Sequence, residues 1–138
     1  MRTYGAGVNT RGGLVLTAVL MVLCSGCASS HEPDVEQVAE QLHAALRVED
    51  GAAACDLLSE DAQEELQESG DSCEVAVLEA GLSPDGRVEK VSAYGTSAQV
   101  RYDDDVVFLA DFPDGWKVIG AGCEKQPDAP YDCKVEGG

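Results

Sequence analysis

Ser83-Pro84-Asp85-Gly86 is followed, one residue on, by Val88-Glu89-Lys90-Val91-Ser92-Ala93-Tyr94-Gly95-Thr96-Ser97-Ala98-Gln99-Val100-Arg101-Tyr102. The hydrophobic period changes here. Ala98, Val100 and Tyr102 alternate with Gln99, Arg101 and Asp103, the two-residue period of a half-buried strand. Residues 88–94 form the strand before it, and Gly95-Thr96 makes the tight turn between them. Asp103-Asp104-Asp105 supplies the next turn. Residues 106–112 are apolar on both faces until Asp111, which predicts a central strand. Phe112-Pro113-Asp114-Gly115-Trp116 is a hairpin signal, with Gly115 suited to positive φ. Residues 116–123 complete a four-strand antiparallel meander, and 124–138 read as a tail with two prolines and little pattern.

Upstream of Ser83 the period is helical. Val35, Val38, Ala39, Leu42, Ala45 and Leu46 recur at helix spacing, with Glu36, Gln37, Glu40 and Gln41 opposite. This predicts a helix over 34–48, with Asp34 as N-cap after Pro33 and His43 toward the polar side. Gly51 interrupts the pattern, and a short helix follows over 52–58. Ser59 caps a third, acidic helix over 60–68. Asp71 and Glu74 read as a capping box that opens a fourth helix, ended by Gly81. Helices first and a meander second predict an α+β fold in one domain, 34–138.

Further toward the N-terminus, Arg2 and Arg11 precede an apolar run from Leu14 to Leu23, and Cys24-Ser25-Gly26-Cys27 closes it. A basic start, a short apolar core and small residues at its end form a secretion signal. A bilayer span needs about 20 apolar residues. The stretch from Gly12 to Cys24 is only 13 residues long, Thr17 included, so a permanent span is the weaker reading. Ser25-Gly26-Cys27 resembles the lipobox of bacterial lipoproteins, although Cys24 stands where that family usually has leucine. The resemblance implies a signal peptide over 1–26, a diacylglyceryl group on Cys27, and a short tether over 27–33. It places the protein on the extracytoplasmic face of the cell membrane. Ordinary secretion, with cleavage near Ala28 or Ser30, is the competing reading.

The chain has six cysteines. Removal of Cys24 and lipidation of Cys27 leave Cys55, Cys73, Cys123 and Cys133. An even set in an exported domain implies disulfides, with three connectivities open. The short-loop pairing, Cys55 with Cys73 and Cys123 with Cys133, is preferred; each bridge would contribute roughly 3 kcal/mol in the chain-entropy model. Zinc is disfavoured, since no C-x-x-C pair or nearby histidine occurs. No cofactor is expected.

All 26 acidic residues follow Cys27. The net charge of −17 includes Arg2 and Arg11, so their removal leaves −19. Such a chain is repelled by nucleic acid and anionic lipid, and no nucleic-acid partner is expected. The lipid alone would hold it, and two acyl chains suffice for stable anchoring.

The order of elements, a long first helix, a helical cluster and a meander over roughly 34–123, resembles the nuclear-transport-factor-two-like fold of the cystatin-like superfamily. That resemblance implies a curved, cone-like sheet wrapped around the first helix. Gly-Trp-Lys-Val at 115–118 and Pro-Tyr-Asp-Cys-Lys-Val at 130–135 also resemble small lipoproteins of high-GC Gram-positive bacteria, with no activity to carry over. Enzymes of the cone fold place Asp, His or Tyr inside it, where burial raises a carboxyl pKa. Tyr94, Tyr102 and Asp111 are the residues a pocket here would use, though surface or packing roles are commoner for such residues. Asp103-Asp104-Asp105 lacks the ligand spacing of a calcium loop and reads as a solvated turn. Glu60, Asp61, Glu64, Glu65 and Glu68 offer an acidic face that would suit a basic partner, or solvent alone. No catalytic motif occurs. The expectation is a binding or accessory module of the cell envelope, meeting an envelope protein or a small ligand. A ligand-binding or enzymatic cone, and a passive spacer, are the alternatives.

Overall fold

The computed structural model describes residues 31–137. The expected signal peptide, Cys27 and residues 28–30 of the expected tether lie outside the described residues, whereas Glu32 and Pro33, also assigned to the tether, belong to the first helix. Four helices pack on one five-stranded antiparallel sheet.

Helix α1 spans Glu32–Arg47. It starts two residues before the expected Asp34 cap, with His31 as N-cap and Pro33 in the first turn. Proline fits there because the N–H it lacks has no intrahelical partner. Glu32 and Asp34 in the first turn and Arg47 in the last complement the helix dipole. Val35, Ala39, Leu42, His43 and Ala45 form the buried stripe.

Helix α2, Gly51–Asp56, is capped by Asp50, whose Oδ1 accepts from Ala53 N at 3.0 Å. Gly51 opens this helix. A Cβ there would collide with the backbone of Glu74, so glycine lets α2 and helix α4, Cys73–Glu79, approach closely. Between them lies α3, Glu60–Gln67, capped by Ser59 through Ala62 N. The N-cap of α4 is Ser72, one residue after the expected Asp71.

The strands are β1 Val88–Tyr94, β2 Ser97–Tyr102, β3 Val106–Phe112, β4 Gly115–Ala121 and β5 Val135–Glu136, in spatial order β1-β2-β3-β4-β5. Strand β3 is central, as its two apolar faces predict. The fifth strand corrects the reading of 124–138 as a patternless tail. Glu124 and Asp132 exchange backbone hydrogen bonds, the Cys123–Cys133 disulfide closes the hairpin, and Val135 is returned to pair with Ala121. Two residues are too few for periodicity to reveal. Leu58 also pairs, parallel, with Val118, so the helical layer is joined to β4 by backbone bonds.

The second disulfide joins Cys55 of α2 to Cys73 of α4. Both bridges are the short-loop pairs. The core lies between α1 and the sheet. Leu42 and Val35 share one buried cluster with Val100, Val107, Leu109 and Val118, and Leu58, Val77 and Val135 belong to the same cluster.

Candidate functional site

Three places concentrate polar chemistry. The first is inside. Tyr102 ends β2 on the core-facing side and is 2% exposed. Its hydroxyl donates to Glu40 Oε1 at 3.1 Å, and its ring lies 4.2 Å from that of His43. His43 is also 2% exposed, which corrects its placement toward the polar side of α1. It stands four residues after Ala39 and eight after Val35, both buried, so helical spacing alone carries it inward. Its Nδ1 is buried without a hydrogen-bond partner. Burial pushes the His43 imidazole below its ordinary pKa, against the attraction of Glu40. Burial, then the Glu40 charge and hydrogen bond, push the Tyr102 phenol well above its usual range. Both shifts favour the neutral form of each group, and the two rings lie tilted by 30° to one another.

Tyr94 and Asp111 do not join them. Tyr94 alternates with buried Ala93, is 76% exposed and lies at the far end of β1. Asp111 pairs with Trp116 near the opposite end of the sheet from Tyr102 and is exposed. The structure thus brings Tyr102 to the helix–sheet interface and leaves the other two named residues at the surface.

The second place is the aspartate run, whose three side chains each tie down a different segment. Asp103 accepts from the backbone N–H of Arg87 at 2.9 Å and from its guanidinium at 3.3 Å. The backbone bond, more than the guanidinium, lowers its carboxyl pKa. Asp104 accepts from the Ser83 hydroxyl at 2.6 Å. Asp105 is buried and accepts from the N–H groups of Val106 and Cys123. Burial raises its pKa, partly offset by those N–H groups. A solvated turn describes Asp103 and Asp104 but not Asp105.

The third place is an open recess of about 550 Å³ between the start of α3 and the β3–β4 turn. Leu58, Phe112 and Pro113 supply apolar surface, and Asp56, Glu60, Asp61 and Asp114 supply carboxylates. Lys117 donates to the backbone carbonyl of Asp56 at 2.8 Å and lies 3.6 Å from the Asp114 carboxylate, the one carboxylate of the recess it pairs with. Glu60 and Asp61 belong to the acidic face read from the sequence. The recess itself depends on the Leu58–Val118 pairing, which no local pattern announces.

Among the described residues no group of three or more His, Cys, Asp or Glu side chains is placed to hold a metal ion, and no helix is long and apolar enough to cross a membrane. No family model, curated protein or solved structure matches the chain.

Proposed function

We propose that this protein is an exported, lipid-anchored domain of the cell envelope that works by binding a partner rather than by turnover. The observation that carries the reading is the pairing of all four described cysteines with one another. Disulfides persist in oxidising, extracytoplasmic compartments. Among the described residues no thiol is left over to pair with Cys27, which suits a cysteine that carries lipid. The recess beside α3 is the binding face. Its carboxylates and its apolar floor suit a partner segment that carries both a cation and an apolar side chain. The test has two arms. Cys27→Ala should move the protein from the membrane fraction to the medium or arrest its processing, and unchanged retention would contradict the anchor. Asp61→Lys with Glu60→Lys should abolish crosslinking to an envelope protein seen with the wild type. Equal crosslinking, or none from the wild type, would contradict the binding face.

A second reading is favoured by the unpartnered Nδ1 of His43: a cone-like, small-ligand domain of the nuclear-transport-factor-two-like kind, with its site between α1 and the sheet. Support for the shape comes from the packing of α1 on β1, β2 and β4 and from irregular pairing at Val88/Lys90 and Phe108/Leu109, since bulges bend a sheet. A ligand there would displace the ring contact between His43 and Tyr102, so His43 imidazole signals that stay unchanged across a ligand screen would oppose it.

A further inference from the structure

We infer that the outer face of the β1–β2 hairpin holds a site for a phosphate-type oxyanion, built from Lys90, Ser92, Gln99 and Arg101. In the register of this hairpin Lys90 lies opposite Arg101, and Ser92 opposite Gln99. Val91, paired with fully buried Val100, points to the other side, so the four polar residues share the solvent face. They line a recess of about 60 Å³.

Two cations directly opposite each other destabilise an antiparallel pair. The arrangement is more notable here because carboxylates outnumber basic residues 26 to 9 in the whole chain. The other described cations mostly hold the fold. Arg47 donates to Pro84 O, Arg87 pairs with Asp103, Lys117 reaches Asp56 O, and Lys134 donates to Gly81 O. The Lys90 side chain makes no hydrogen bond or ion pair among the described residues. Arg101 meets only Glu89, at 3.6 Å with both side chains about half exposed, a contact of little strength in water.

The four side chains supply complementary donors. Arg101 offers a planar fork and Lys90 a mobile point charge, the two usual partners of a phosphate oxygen. The Ser92 hydroxyl and the Gln99 amide add two neutral donors between them. A tetrahedral dianion would neutralise both cations and remove the cross-strand repulsion at once. The occupant is a phosphate-type group, free in solution or carried on a lipid headgroup. The site is independent of the acidic recess beside α3, which it does not touch.

The test is a titration of the detergent-extracted protein with inorganic phosphate, followed by amide NMR at ionic strength held constant with chloride. Saturable shifts should centre on Lys90, Ser92, Gln99 and Arg101. Lys90→Gln with Arg101→Gln should weaken binding by about tenfold or more, since two charge-assisted contacts are lost. In chloride alone Lys90→Gln should melt at a higher temperature than the wild type, because the like-charge pair is gone, and phosphate should raise the melting point of the wild type only. Shifts that fail to saturate, that spread evenly over the basic residues, or that persist in the double variant would overturn the site. A parallel arm with vesicles of phosphatidylcholine, with and without phosphatidic acid, separates the sources. Binding only to the acid-containing vesicles assigns a headgroup, and binding of free phosphate alone assigns a soluble anion.

Discussion

The two disulfides close loops of similar size, 18 and 10 residues, yet they do different things. Cys55–Cys73 lies within the core, both cysteines buried, and joins α2 to α4. Those helices have six and seven residues, far below the length at which a helix is stable alone in water. Cys123–Cys133 instead closes a terminal hairpin beside a sheet that has its own ladder of hydrogen bonds. Loop-closure entropy differs little between the two. The helical layer depends on its staple because nothing local replaces it, whereas the sheet keeps β1 to β4 without its own.

The largest effect should therefore come from Cys55→Ala with Cys73→Ala. We expect a loss of roughly 3–5 kcal/mol, measured by urea denaturation, with amide protection lost across both short helices. Cys123→Ala with Cys133→Ala should lose less, with exchange rising mainly over residues 122–137. Equal losses, or a larger one for the second pair, would break the comparison.

Asp105→Ala should come next, at roughly 2–3 kcal/mol, since it strands the buried N–H groups of Val106 and Cys123 that its carboxylate accepts. Thermal melts would show it. The effect belongs to the sheet layer, so it should add to the Cys55/Cys73 loss rather than overlap it.

A smaller effect separates the layers by pH. His43 has a folded pKa below its unfolded value of about 6.5. Its contribution is complete above pH 6.5 and declines as the pH falls below that toward the folded pKa. Asp105 acts in the opposite sense: its raised pKa makes the folded state gain relative stability as the pH falls through that pKa toward 3.8. His43→Phe keeps an aromatic ring against Tyr102 and removes the titrating group. It should flatten the decline just below pH 6.5 in melting curves, and an unchanged slope would show that His43 is solvated.

The smallest effect is a gain. Glu49 has φ of 54° in the turn after α1. Glu49→Gly should stabilise by about 1 kcal/mol or less, since a left-handed backbone strains residues with a Cβ. Its melting point should rise, and an unchanged or lower one would contradict the left-handed backbone at Glu49.

Much of this architecture can be read from residue patterns because its signals are local. The switch of period after Gly86, the Pro113–Gly115 turn and the short cysteine spacings are each complete within a few residues. Counting histidine as polar puts His43 on the wrong face of α1, whereas its distance of four from Ala39 and eight from Val35 puts it on the buried stripe. Asp105 was hidden inside a run of three identical residues, only one of which is buried. Strand β5 and the Leu58–Val118 bridge are non-local pairings of one or two residues, too short to leave a period. Tyr94 and Asp111 failed to join Tyr102 because residue type does not specify which end of a strand, or which face, a side chain occupies.

The proposed function requires export, two closed disulfides and one cysteine carrying lipid. Intact-mass spectrometry of the detergent-extracted, unreduced protein tests it most directly. The predicted result is a chain beginning at Cys27 with a diacylglyceryl mass and no free thiol at Cys55, Cys73, Cys123 or Cys133. A chain beginning at Ala28 or Ser30, an unmodified Cys27, or free thiols in the domain would contradict it.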